Sequence, residues 1–236
     1  MEFIVVDSYD ELSRRAADII CQMVKAKPKC VLGLATGSTP LGTYQKLIEY
    51  YRNGMVDFSS ATSVNLDEYV GLSGDNPQSY RYFMNENLFS KINISPEHTF
   101  VPDGCYENQT EVCEAYDKII ESLGGIDIQL LGIGLDGHIG FNEPDQVFIK
   151  ETHIVELDET TIEANARFFK SADEVPRSAI TMGMGAIMSA KKILLIANGK
   201  RKEEIVNRAC FGPVTPLIPA SILQLHPNVV VLYTKE

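Results

Sequence analysis

Ile126-Asp-Ile-Gln-Leu-Leu-Gly-Ile-Gly-Leu-Asp-Gly-His-Ile-Gly-Phe-Asn-Glu-Pro144 is the stretch on which the reading of this chain turns. Its first half is a short apolar run that stops at glycine, the pattern of a buried strand. Its second half sets Asp136, His138 and Glu143 within eight residues, on backbone too rich in Gly and Pro for a helix. Open α/β sheets build ligand sites where a strand ends and hands polar groups to a loop. A histidine between two carboxylates can have its tautomer fixed and its imidazolium stabilised, as general acid–base work requires. The competing reading is two solvated carboxylates with a histidine packed beneath them. The glycines and the position after an apolar strand favour the site. The same segment contains Gly132-Ile-Gly134-Leu-Asp-Gly137, formally a dinucleotide fingerprint. That fingerprint needs a helix opening at its last glycine, and Gly140 and Pro144 oppose one. Dinucleotide binding is set aside.

Outward from this stretch, apolar strands alternate with amphipathic helices along the chain. Glu2–Asp7 reads as a strand, and Ser8 can cap a helix that carries Leu12, Ala16, Ile19, Ile20 and Met23 at helical spacing. Strands are expected at 30–35, 63–66, 99–101, 153–157, 179–182, 193–197 and 229–233. Helices are expected between them, including one over 160–169 and one over 202–210. Such alternation predicts an α/β fold: a three-layer α/β/α sandwich with a Rossmann-like, mostly parallel sheet. No repeat, linker or low-complexity tract divides the chain, so residues 1–236 read as one domain.

Composition bounds the function. A net charge of −11 argues against nucleic acid as a partner, because phosphate backbones need a basic face. A small anion remains compatible, since a few local cations and N–H groups can outweigh the global field. Five cysteines without a C-x-x-C pair read as reduced thiols, neither a disulfide frame nor a zinc site. Neither a signal peptide nor an apolar run of membrane-spanning length is seen. The expectation is a cytoplasmic protein with no membrane partner.

Two further segments carry chemistry. Ala35-Thr-Gly-Ser-Thr-Pro40 joins a buried strand to a helix whose first position reads as Pro40. Gly37 lets the backbone curl, while Ser38, Thr39 and the helix N-terminus supply donors for a phosphate. The alternative is an ordinary strand–helix turn with a capping hydroxyl. No Gly-Lys-Ser/Thr follows, which excludes a Walker A loop. Asn65-Leu-Asp67-Glu68-Tyr69 puts two carboxylates at the end of an expected strand. On a continuing strand they face opposite ways, so no more than one of them can face a ligand; taken alone, the pair reads more readily as a loop carboxylate that caps the next element. Arg167, and Lys202 after Asn198-Gly199, are cations at element ends; taken singly each reads as a solvated surface group.

Jointly, these segments resemble the glucosamine-6-phosphate deaminase family, in the same order from Phe3 to the last strand. The resemblance is carried by the Thr36–Pro40 loop, Asn65-Leu-Asp-Glu-Tyr-Val-Gly71, Asp136-Gly-His138 with Phe141-Asn-Glu-Pro144, Ala166-Arg-Phe-Phe169 and Leu225-His-Pro227. The related 6-phosphogluconolactonases carry the Asp-Gly-His element but not Phe-Asn-Glu-Pro after it, which makes a lactonase the alternative enzyme. A sugar-phosphate sensing module is a third reading. It would not need the acid–base residues, all of which are present here.

The resemblance implies conversion of glucosamine 6-phosphate and water to fructose 6-phosphate and ammonia. It implies His138 as the ring-opening group supported by Asp136 and Glu143, and Asp67 as the base at C2. It implies Gly37, Ser38, Thr39, Arg167 and Lys202 as holders of the substrate phosphate. Neither metal nor organic cofactor is expected. Longer family members are hexamers activated by N-acetylglucosamine 6-phosphate. This chain departs after Pro144, where Asp145 and Glu151 accompany only Lys150 and His153, and it carries no C-terminal extension. A monomer or small homo-oligomer without that activator is therefore expected.

Overall fold

The computed structural model describes residues 1–157, 162 and 175–236; the helix expected over 160–169, and Arg167 within it, lie outside the described residues. The chain opens with β1 (Glu2–Val5) and α1 (Tyr9–Ala26). Ser8 caps that helix by accepting from the Glu11 N–H, and Leu12, Ala16, Ile20 and Val24 form its buried stripe. There follow β2 (Val31–Leu34), α2 (Leu41–Arg52), β3 (Thr62–Asn65), β4 (Asp67–Tyr69) and α3 (Tyr80–Asn87). Next come β5 (Thr99–Phe100), α4 (Gln109–Ser122), β6 (Ile128–Leu131), β7 (His153–Glu156) and β8 (Ser178–Thr181). The chain closes with α5 (Met184–Met188), β9 (Ile193–Asn198), α6 (Glu203–Phe211) and β10 (Val229–Thr234).

Among the described residues the central sheet has seven strands in the order β1-β10-β9-β6-β2-β3-β5, every pair parallel. Its strands are apolar on both faces because helices cover both. Leu32, Leu34, Leu130, Leu194 and Ile196 pack with α1, α2 and α3. Val31, Val64, Leu131, Leu195 and Val231 pack with α4, α5 and α6. These are the three layers expected from the alternating pattern. The chain runs β2–β3–β5 toward one edge, then returns to β6–β9–β10 on the other side of β2. Neighbouring β2 and β6 thus send their connections in opposite directions, and the crevice at their carboxyl ends is where open sheets bind ligands.

One expectation is corrected. Asp67-Glu68-Tyr69 does not end β3 but forms β4 in a second, antiparallel sheet ordered β4-β8-β7. The pivot is Leu66, whose N–H still donates to Leu34 O in the large sheet (3.2 Å) while its carbonyl accepts from the Met182 N–H in the small one (2.7 Å). The strands at 153 and 179 likewise belong to this small sheet, not the parallel one.

At the opposite, amino edge of the large sheet, the buried Asp127 is met by two lysines that reach in from the surface. Its carboxylate takes Lys27 Nζ at 2.8 and 2.9 Å, Lys191 Nζ at 2.7 Å and the Val31 N–H at 2.8 Å. Burial works to raise its pKa, but the lysines and the N–H donor outweigh burial and hold it below the ordinary value. A lowered pKa stabilises the fold above the unfolded carboxyl's pKa and is lost as pH falls through the native one. Asp127→Asn is therefore expected to cost about 1–2 kcal/mol at pH 7, the lysines being exposed and able to hydrate. The wild-type advantage in thermal midpoint should shrink as the pH is lowered toward 3; an advantage independent of pH would refute the charge argument.

Candidate active site

Four loops converge at the carboxyl edge of adjacent strands β9, β6, β2 and β3. The loop after β2 contains Gly37 at φ +96°, with open space where a side chain would sit. The positive φ is the requirement for glycine here. Pro40 is the residue before the helix, not its first position as expected, and no side chain of its own caps α2. Thr39 is buried, and its hydroxyl donates to Asn198 Oδ1 at the end of β9 (2.8 Å), while Ser38 is exposed. The buried Tyr44 hydroxyl donates to Ala35 O, and Tyr116 donates to Asn65 O (2.6 Å). Two tyrosines thus anchor the carbonyl just past β2 and the last carbonyl of β3, where the loops depart. Lys202 lies partly exposed in a 3-10 turn, Lys200–Lys202, that precedes α6.

The adjacent carboxylates at 67 and 68 have separate fates. Glu68 accepts the N–H groups of Tyr69 (2.9 Å), Tyr80 (2.8 Å) and Arg81 (2.9 Å), the last two in the opening turn of α3. It is a structural cap binding that helix to β4. Burial raises its pKa, and the three N–H donors oppose the rise. Asp67 is 6% exposed and accepts no hydrogen bond among the described residues. Burial first, and the neighbouring Glu68 charge second, push its pKa up to about 8.

The Gly132–Pro144 loop folds back over this carboxylate. A side chain on Gly140, at φ +61°, would meet Thr181 Oγ1 at 3.0 Å and Asp67 Oδ2 at 3.4 Å. The Phe141 N–H donates to the same Thr181 hydroxyl (3.1 Å), and Asn142 is tied to Ile139 O and Met182 O (3.0 and 2.9 Å). Upstream, the His138 ring lies on Gly134, where a Cβ would come within 2.2 Å of ring carbon Cε1. That close approach, not a pyrophosphate, explains the glycine. His138 Nδ1 stands 2.7 Å from Asp136 Oδ1, off the line of a well-aligned hydrogen bond. Partial burial works to raise the Asp136 pKa, but contact with the His138 ring and N–H prevails and lowers it. Glu143 is half-buried beyond the tight turn that Ile139 and Asn142 close.

Sequence reasoning missed Tyr44, Tyr116, Asn198 and Thr181. Each acts across an interval of chain that no local pattern spans. No cluster of His, Cys, Asp and Glu suited to a metal ion occurs among the described residues, and no helix among them is long and apolar enough to cross a membrane.

The family model described as glucosamine-6-phosphate isomerases/6-phosphogluconolactonase matches residues 7–232. The glucosamine-6-phosphate deaminase of Lachnoclostridium phytofermentans is 62% identical over 232 residues, covering 98% of each chain. That of Clostridium perfringens is 55% identical over 236 residues, covering all of this chain and 98% of its own. Among solved structures, a monomeric glucosamine-6-phosphate deaminase superposes with a TM-score of 0.98 at 47% identity, covering 100% of this chain and 98% of its own. The 6-phosphogluconolactonase of Trypanosoma brucei has a TM-score of 0.77 at 22% identity over 100% and 96%, a likeness of fold alone.

Proposed function

Because the chain belongs to the glucosamine-6-phosphate isomerase/6-phosphogluconolactonase family, we infer that these four loops carry out the deaminase chemistry of that family. The reaction is isomerisation coupled to deamination: glucosamine 6-phosphate and water give fructose 6-phosphate and ammonia. The assignment of roles is ours. His138, with Asp136 against its ring, moves the proton between the anomeric hydroxyl and the ring oxygen that opens the sugar. Glu143 is assigned as its second support. Asp67 takes the proton from C2 of the open chain and returns it to C1. The enolamine becomes a ketimine, which water hydrolyses to release ammonia. No step calls on a metal or an organic cofactor.

The observation that carries this reading is the contrast between Asp67 and Glu68. One carboxylate is committed to three N–H donors that hold it in a capping role. The other is buried, unpartnered among the described residues and shifted toward neutral pH, as a proton-transfer base needs to be. The loop of Gly37, Ser38 and Thr39, with Lys202 and Arg167, is assigned to the substrate phosphate. Its binding energy orients the sugar over the acid–base groups. The test is ammonia release from glucosamine 6-phosphate run beside hydrolysis of 6-phosphogluconolactone. Turnover of the lactone alone would transfer the site to the lactonase reading.

We further place the protein in the cytoplasm as a monomer of one domain, 1–236, in keeping with the monomeric relative and with cysteines that are all free thiols. The cleft of about 180 Å³ behind the Phe141–Pro144 turn sets Glu143, Asp145 and Glu156 against the one imidazole of His153. That is a poor home for a second sugar phosphate, and an effector without differential affinity shifts no equilibrium. Hyperbolic kinetics, unaltered by N-acetylglucosamine 6-phosphate, and a monomeric sedimentation mass are the expected results. Sigmoidal curves relieved by that compound, or a hexameric mass, would refute the two halves separately.

A further inference from the structure

We propose that the Tyr9 hydroxyl is a positioning group for the phosphate-binding loop, one that turns the Thr39 N–H outward to meet the anion. Tyr9 opens α1, far in sequence from the loop. Its hydroxyl is shared between Ser38 O (3.1 Å) and Thr39 O (2.9 Å), and its oxygen accepts the Gly42 N–H (2.8 Å). One phenol therefore holds the backbone at three points between the loop and the first turn of α2. The ring closes on Gly42, where a Cβ would lie 3.0 Å from its Cε1. Tyr9 is itself fixed, with its N–H donating to the Glu236 carboxylate (2.7 Å) and its helix capped by Ser8.

The consequence follows from peptide planarity. In a trans peptide the carbonyl of one residue and the N–H of the next point to opposite sides, and the described residues contain no cis bond. With Ser38 O drawn to Tyr9, the Thr39 N–H must face away from Tyr9. It finds no acceptor among the described residues, and neither do the N–H groups of Gly37 and Ser38. Thr39 is held on its other flank too, because its hydroxyl is committed to Asn198. Its N–H is thus the donor left for a ligand. Gly42, by contrast, has its N–H taken by Tyr9. The seat is then the loop at Gly37–Thr39, whose three N–H groups have no acceptor among the described residues, with less of it from the helix terminus than the sequence suggests.

The inference rests on the phosphate reading above, and the experiment separates the two. Competitive inhibition by inorganic phosphate and the KM for glucosamine 6-phosphate are measured in the wild type and in Tyr9→Phe. The variant keeps the ring and its packing. Both constants should rise roughly tenfold, as loss of well-formed hydrogen bonds would produce, while kcat changes less than about threefold. A purely structural role would lower the thermal midpoint and leave the phosphate constant in place, which would overturn the inference. Wild-type enzyme that phosphate does not inhibit would instead overturn the phosphate reading itself. A second measurement needs no variant. By amide hydrogen exchange on the wild type, Gly42 should be protected without ligand, and Thr39 should become protected only when inorganic phosphate is added. An unprotected Gly42 amide, or a Thr39 amide indifferent to phosphate, would count against the role of Tyr9.

Discussion

Asp67→Asn is expected to lower kcat for ammonia release by about 10²–10⁴-fold, the range for removal of a positioned acid or base. The KM should stay within a few-fold of wild type, because the substituted group is the one assigned to C2 and not to the phosphate. The amide matches the carboxyl in shape, so packing against Gly140 and Thr181 survives. Solvent exchange of the C2 proton isolates the step: it should vanish in the variant, and exchange at the wild-type rate would assign the base elsewhere. The wild-type pH profile follows from the same burial. A base must be ionised to act, and this carboxyl sits near 8 in the free enzyme. Thus kcat/KM should climb about tenfold per pH unit below that value and level off above it.

The stability consequence of Asp67 has the opposite sign to that of Asp127. A carboxyl whose native pKa is raised contributes stability while protonated, below its unfolded value, and loses it as pH rises toward 8. The amide of the Asp67→Asn variant stays neutral throughout. The substitution should therefore stabilise the protein relative to wild type at pH 9, on the order of a few kcal/mol, and confer no such gain at pH 4. A variant that is inactive yet more stable at high pH would show that this one group is kept for function at a cost in stability.

The large sheet was legible because its strands are covered on both faces and so read as unbroken apolar runs separated by helices. The small sheet was not. Leu66 pairs into both sheets through its two backbone groups, and backbone pairing leaves no mark on residue type. Val64 and Leu66 continue one apolar face, so the run through Tyr69 read as a single strand. In the site, glycines signalled the loops, and the Gly134–His138 contact gives one of them its reason. The family resemblance pointed to Asp67, but the local pattern did not say which of the two adjacent carboxylates is free, since the donors that occupy Glu68 arrive from Tyr80 and Arg81, more than ten residues on. Tyr9 was invisible for the same cause: its partners at 38, 39 and 42 lie about thirty residues on along the chain.

Glucosamine without its phosphate should react with kcat/KM lower by about 10³-fold or more. Each charge-assisted bond from a loop N–H or a cation to the dianion is worth about 1.5–3 kcal/mol, so even two of them, lost together, account for a factor of that size. The protein carries a net charge of −11, so nothing in its overall field attracts an anion. The attraction has to come from the few donors at Gly37–Thr39 and the cations assigned beside them, acting at contact distance. The division between constants then tells how that binding energy is used. If the phosphate only anchors the sugar, the loss falls on KM. If it also orients the opened chain over Asp67, kcat falls as well, because positioning is realised only in the transition state. We expect both to fall, since the Thr36–Pro40 loop and Asp67 follow adjacent strands, β2 and β3, beyond the Ala35 and Asn65 carbonyls that buried tyrosines anchor. A substrate gripped at one loop is thereby set at a fixed distance from the base at the other. Equal kcat/KM for the two sugars would remove the phosphate seat. A loss confined to KM would leave the seat in place and show that the distance between the two loops is not what limits turnover.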